Sequence, residues 1–207
     1  MTDPVEKYDG IARDFSEHEY ADPELYARRR AEIVLGLGPR LAPGASLLDL
    51  GCGDGIMAPP FVAAGLDYAG VDASSSMVAE ARASHPGLSF EVGTIDEFEP
   101  REPVDCTICL RAFYYAADRQ AFFAKVRAYT HTKFVLDCRP EVDDVGAIAD
   151  DLRAAGFGRV DLRPFFLPQS RSVPSPLLPA VSALERTGPL ARLLLRRHGR
   201  LFCAASG

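Results

Sequence analysis

Two aspartates and three glycines carry the densest chemical signal in this chain of 207 residues. The apolar pair Leu47-Leu48 leads to Asp49, and glycines follow at 51, 53 and 55. A second acid, Asp72, lies 21 residues beyond Gly51. Glycine lets a chain turn sharply and lets a ligand approach the backbone without a Cβ in the way. The helix-compatible stretch Ile56 to Ala64 starts directly after this loop, so unpaired N–H groups at its beginning face whatever the loop holds. A strand, a glycine loop, a helix and an acid at about 20 residues form a nucleotide-type turn, in which the acid accepts the hydroxyls of a ribose. The dinucleotide form of that turn is G-x-G-x-x-G, whereas this loop is G-x-G-x-G with Asp49 two residues ahead. A carboxylate beside the loop repels a pyrophosphate and suits a ligand with an ammonium group.

After Asp72 come Ala73 and Ser74 to Ser76, which open an alanine-rich helical stretch containing Met77. Taken alone, Asp72 would serve as a helix cap and Met77 as core. Together the two stretches resemble the first and second signatures of the class I S-adenosylmethionine-dependent methyltransferases: an acid, any residue and G-x-G-x-G, then an acid followed by S-x-x-M. The resemblance covers about residues 6–165. It implies S-adenosyl-L-methionine as cosubstrate and S-adenosyl-L-homocysteine as product. Asp49, Gly51, Cys52, Gly53 and Gly55 would then form the first cofactor loop, Asp72 would hold the ribose with Ala73 beside it in the cofactor site, and Met77 would pack on the adenine.

The same resemblance places further residues. In Gly93-Thr94-Ile95-Asp96, Thr94 stands where relatives carry an acid. Thr94 and Ile95 are therefore read as pocket-lining, Ile95 through its backbone N–H, and Asp96 as a solvated loop acid. Leu110 would touch the cofactor through its backbone. Tyr114 and Tyr115 follow it, with one ring expected to face the acceptor and Phe113 to be core. Tyr8 matches the early tyrosine of the lid in small-molecule methyltransferases. One arginine of Arg28-Arg29-Arg30 would pair with the methionine carboxylate, and Arg29 is the choice. His18, in the lid, could reach the acceptor, whereas His85 and His131 fall at helix-to-strand ends away from the active face.

Methyl transfer is an in-line displacement that depends mainly on alignment. A neutral amine needs no strong base, while a hydroxyl or an activated carbon usually wants one. A tyrosine, with an ordinary pKa of about 10, is a poor base at neutral pH. No clear base emerges. The implied reaction is N- or O-methylation of a small-molecule acceptor, of the kind found in secondary metabolism. The alternative is a non-methylating rearrangement or cyclisation that uses the bound S-adenosylmethionine. A regulatory subunit is disfavoured by the intact Asp49, glycines and Asp72. A nicotinamide oxidoreductase is disfavoured by the loop spacing and by Asp49.

These residues need a scaffold that brings strand ends together. Strand and helix patterns alternate, which argues for βαβ units and a parallel sheet. Helices are expected over about Glu6–Phe15 and Pro23–Leu37, then near 56–64, 75–84, 118–129 and 144–155. Strands are expected near 46–50, 67–71, 88–92, 104–110, 132–138, 158–165 and 198–205. The fold class is α/β, a Rossmann-like three-layer sandwich. Its seven-stranded, mostly parallel sheet would have an antiparallel last strand, a detail taken from the resemblance. One domain is expected, with lid helices in 1–40, a cofactor-binding core in 45–165, a Pro- and Leu-rich appendage in 166–197 and the last strand after it. The appendage is either packing or a substrate cover.

Composition narrows the partners. The net charge is −6, hydrophobic residues make up 47% and mean hydropathy is near zero. No broad basic field exists, so nucleic acid is not expected as a partner. No apolar run approaches the roughly 18 residues of a membrane span, and the polar start is not a signal peptide, so a cytoplasmic location is expected. The five cysteines should be free thiols. Cys106 and Cys109 sit three apart on a strand and would point to opposite faces, so no metal site is expected. The sequence leaves the acceptor and the oligomeric state open.

Overall fold

One seven-stranded sheet, in the order β3-β2-β1-β4-β5-β7-β6, organises the chain. The computed structural model describes residues 9–13, 15–186 and 199–207. The strands are β1 (Ser46–Leu50), β2 (Asp67–Asp72), β3 (Ser89–Val92), β4 (Val104–Cys109), β5 (Thr130–Cys138), β6 (Arg159–Phe165) and β7 (Arg200–Ser206). β1 to β5 pair in parallel, and β7 runs antiparallel to both β5 and β6. The described α-helices are α1 (Phe15–Glu19), α2 (Pro23–Gly36), α3 (Ala58–Ala63), α4 (Ser75–Ser84), α5 (Arg119–Tyr129), α6 (Val145–Ala154) and α7 (Leu178–Arg186).

Strand periodicity splits the core into two layers. Leu47, Val135 and Phe202 face α2, α3 and α4, while Leu48, Phe134 and Cys203 face α5 and α6. Cys106 and Cys109 obey the same rule and fall in different layers. All five cysteines are buried and unpaired. Among the described residues, no cluster of His, Cys, Asp and Glu is placed to hold a metal ion, and no helix is long and apolar enough to cross a membrane.

Some boundaries move for local reasons. The expected helix over 6–15 is interrupted among the described residues: Asp9 is helical, Gly10 and Ile11 form a turn, and a helix follows at Phe15–Glu19. α3 starts at Ala58, two residues late, since Pro59 and Pro60 are tolerated only in a first turn. β5 starts early because Thr130 pairs with Val104. Pro164 lies in β6, which is an edge strand, the part of a sheet that tolerates proline. The described part of the appendage packs on the domain. Leu167 is buried, and Glu185 of α7 accepts hydrogen bonds from the Phe166 N–H and from Arg29.

Lys133 is an unexpected charge in the middle of β5. It is fully buried, and its Nζ donates to the carbonyls of Val34 and Leu37 at 2.7 and 2.9 Å, capping the C-terminal end of α2. A cation there complements the helix dipole, while burial pushes the lysine pKa down. Lys133→Met would strand those carbonyls. It is expected to lower stability by about 2–3 kcal/mol, read as a lower urea midpoint at unchanged slope.

Candidate active site

The loops after β1, β2, β3 and β4 surround a cavity of about 430 Å³, within the usual range of about 300–1,000 Å³ for small-molecule sites. Backbone hydrogen bonds fix the glycine loop. Gly51 and Cys52 donate their N–H groups to the Val71 carbonyl at 2.8 and 3.0 Å. Asp72 then clamps the loop to the next helix, with Oδ2 accepting from the Gly53 N–H at 2.8 Å and Oδ1 from the Ser74 N–H at 2.9 Å. Gly51 has φ of 78°, and a Cβ there would stand 2.4 Å from the Cβ of Ala112. Gly53 has φ of 58°, and no other residue comes within 4 Å of where its Cβ would be, so the cavity reaches its backbone. Asp9 accepts hydrogen bonds from the Ser74 hydroxyl and the Ser76 N–H, which brings the N-terminal segment onto the start of α4.

Asp49 is buried in the wall and accepts a hydrogen bond from the Tyr68 hydroxyl at 2.7 Å. Burial pushes its carboxyl up to about 7, against the opposing pull of Tyr68 and Arg30. Arg30, on α2, lines the same cavity at 3% exposure. Its guanidinium lies over the Tyr26 ring, 5.4 Å from the centroid, and its Nη2 is 3.8 Å from Asp137 Oδ1. Its Nε and Nη2 have no hydrogen-bond partner. A buried guanidinium in that condition is costly unless an anion completes it.

Phe15, Tyr20, Arg111 and Tyr115 build another part of the wall. Arg111 has φ of 62°, the only non-glycine with positive φ among the described residues. Such conformations persist only where surrounding structure holds them. Here the Arg111 N–H donates to Asp137 Oδ1 at 2.6 Å, while its side chain donates to the Tyr20 hydroxyl at 2.7 Å and to Glu19 Oε1 at 2.9 Å.

Residues 47–133 match the family model described as "Methyltransferase domain". Those residues carry a methyltransferase domain, and their glycine loop and fold are of the class I S-adenosylmethionine-dependent type. Over 89 residues it is 33% identical to a ubiquinone biosynthesis O-methyltransferase of Bradyrhizobium sp. (strain ORS 278), which takes in 41% of this chain and 35% of that protein. The match thus spans about a third of that relative's length. The fold is that of a putative methyltransferase solved with the Haloferax volcanii Trm112 methyltransferase activator, with a TM-score of 0.69, 20% identity and coverage of 100% of this chain and 98% of that one. The [4+2]-cyclase SpnF shares the fold as well, with a TM-score of 0.66, 17% identity and coverage of 98% and 94%.

In this methyltransferase domain, most of the residues singled out in the sequence reach the cavity. Asp49, Gly51, Cys52 and Gly53 line it from the first loop, and Asp72, Ala73 and Met77 from the second. Thr94, Ile95, Leu110 and Tyr115 line it from the loops after β3 and β4. Gly55 acts through packing instead, since a Cβ there would come within 2.9 Å of His85 and 3.1 Å of Phe90. His85 therefore supports the loop rather than standing apart from it. Lys125 holds the post-β3 loop by donating to the carbonyls of Ile95, Asp96 and Phe98. Asp96 is exposed, as expected of a loop acid, but it also lines the cavity, and its Oδ2 accepts from the Ala117 N–H at 3.0 Å.

Four assignments change or stay outside. Arg29 turns away from the cavity to Glu32 and to buried Glu185, because one helical step separates it from the inward face occupied by Arg30. Tyr114 does not line the cavity; it lies beside Tyr115 and under Arg139. His18 is exposed on α1 and is not part of the cavity wall. Tyr8 lies outside the described residues. Arg30 was legible in principle, since Tyr26, Arg30 and Val34 recur every four residues along the buried stripe of α2. Tyr20 and Arg111 gave no comparable signal, because only the docking of α1 and α2 against the β4 loop brings them together.

Proposed function

We propose that the chain transfers a methyl group from S-adenosylmethionine to nitrogen or oxygen of a small-molecule acceptor, and that it acts in the cytoplasm, where five unpaired thiols suit a reducing milieu. One observation carries the cosubstrate half of this reading. A buried arginine with unpartnered nitrogens and a buried carboxylate stand on one cavity wall, beside a glycine loop clamped by Asp72. This pairing complements the carboxylate and ammonium of an amino-acid end. Arg30 would hold the first and Asp49 the second. Asp72 would accept ribose hydroxyls on the lone pairs its two backbone bonds leave free. Met77, buried on α4, and Ile95 supply the apolar slot for a purine. When bound, the cosubstrate supplies a sulfonium-activated methyl carbon.

The chain's own contribution to catalysis is alignment and exclusion of water. Phe15, Tyr20 and Tyr115 present aromatic surface to an acceptor. Burial pushes Tyr114 up to about 12, which removes it as a base near neutral pH. No histidine lines the cavity among the described residues. That last observation favours acceptors needing no strong base, and it is also what supports the second reading, a rearrangement or cyclisation of the kind named for SpnF. Incubation with S-adenosylmethionine and a panel of amines, phenols and carboxylates separates the two. Formation of S-adenosylhomocysteine that depends on acceptor supports transfer. Acceptor conversion with S-adenosylmethionine intact would replace it by the second reading.

The two neighbouring arginines give a sharper check. Arg30→Met is expected to weaken S-adenosylhomocysteine binding by about 10- to 100-fold, the loss of a charge-assisted pair. Arg29→Met should leave that affinity unchanged and instead lower the thermal midpoint, because it leaves buried Glu185 without its cation. Calorimetric titration alongside thermal melts reads both.

A further inference from the structure

Three arginines converge near Asp137, at the carboxyl end of β5. Arg200 Nη1 bonds Asp137 Oδ2 at 2.9 Å, the Arg111 N–H bonds Oδ1 at 2.6 Å and Arg30 Nη2 stands 3.8 Å from Oδ1. Asp137 is fully buried and offers one negative charge, which Arg200 neutralises. Arg30 is assigned above to the amino-acid end of the cosubstrate. The Arg111 guanidinium remains, and it lines the cavity.

Its present partner is weakly held. Glu19 is the last residue of α1, its side chain is 35% exposed, and it is shared with Gln169. An ion pair at that exposure is worth about 0–1 kcal/mol, so an incoming anion can displace it. Arg111 itself is fixed. Its backbone is locked at positive φ by Asp137, and its guanidinium lies 5.6 Å from the centroid of the Tyr20 ring. Tyr20 is buried in the wall and accepts from Arg111, which leaves the phenol proton to be donated. A fixed guanidinium beside a phenol donor matches the two oxygens of a carboxylate or phosphate. Phe15 and Tyr115 add flat apolar surface at the same cavity.

We infer that Arg111 and Tyr20 bind an oxyanion group on an aromatic or otherwise flat acceptor, and that the Glu19 carboxylate occupies that place until the acceptor arrives. This rests on the methyl-transfer reading, since the anion site is defined relative to an acceptor. The test uses the protein saturated with S-adenosylhomocysteine and titrated with benzoate, phenyl phosphate and benzamide, three probes that share a ring and differ in charge. Benzoate or phenyl phosphate should bind about 10- to 100-fold more tightly than benzamide, and whichever is tighter identifies the oxyanion. Arg111→Asn, chosen because asparagine tolerates positive φ, should erase the preference. Glu19→Gln should strengthen anion binding about two- to fivefold by removing the competitor. Equal affinity for the three probes, no binding of any of them, or a preference that survives in Arg111→Asn overturns the inference. Failure of S-adenosylhomocysteine to bind at the outset would instead overturn the methyl-transfer reading.

Discussion

Asp72→Ala is expected to weaken S-adenosylhomocysteine binding by about 100-fold or more, since two charge-assisted hydrogen bonds are each worth roughly 1.5–3 kcal/mol. The carboxylate has two duties that alanine cannot share. Toward the protein it accepts from the Gly53 and Ser74 N–H groups, which joins the glycine loop to the start of α4. Toward the cavity its remaining lone pairs are the acceptors proposed for a ribose. Alanine removes both, so the loop loosens as the ligand loses its partner. Asp72→Asn should fall between the two, because an amide supplies one acceptor oxygen and turns an N–H₂ against one of the backbone donors. Ser74 Oγ still caps α4 through the Met77 N–H, so the fold should survive with a modest drop in thermal midpoint. Calorimetry on Asp72→Ala decides the point. An affinity within about threefold of the parent protein would remove Asp72 from the binding site.

The part of the site that sequence displayed is the part made by local backbone. Asp49, the glycine loop and Asp72 sit at strand ends, and the turn itself dictates their spacing. The alternation of strands and helices and most element boundaries followed from the same local patterns, whereas the antiparallel last strand came from the family resemblance and the strand order β3-β2-β1-β4-β5-β7-β6 only from the structure. What sequence hid depends on rotation about a helix axis or on contacts between distant segments. Arg29 and Arg30 are adjacent in the chain, yet one anchors α7 through Glu185 and the other faces the cavity. Only the four-residue stripe of Tyr26, Arg30 and Val34 distinguishes them. Arg111 needed a left-handed backbone held by Asp137, some 26 residues away in the chain. Nothing in the sequence around Lys133 announces that it closes a helix end nearly 100 residues upstream.

Cosubstrate affinity is expected to rise about tenfold between pH 6 and pH 8, because a carboxyl titrating near 7 goes from mostly protonated to mostly ionised over that span. Asp49 is that carboxyl. Burial raises it to about 7, and the Tyr68 hydroxyl and Arg30 limit the rise. An ammonium placed against Asp49 favours its charged form, so binding expels the proton wherever one is present. Below pH 7 that expulsion opposes binding, and well above 7 it does not. The stability of the ligand-free protein follows the opposite sign. Its folded-state pKa lies above the unfolded value near 3.8, so this group's contribution is full below about pH 4 and is lost as pH rises through 7. The ligand-free thermal midpoint should therefore drift down across the window in which the stabilisation added by S-adenosylhomocysteine grows. Asp49→Asn should flatten both trends. Tyr68→Phe should move them to higher pH, since it removes a hydrogen bond that favours the carboxylate. Titrations at pH 6, 7 and 8 on the three proteins test the assignment. A pH dependence that Asp49→Asn leaves intact would place the titrating group elsewhere, with half-buried His85 beneath Gly55 the next residue to change.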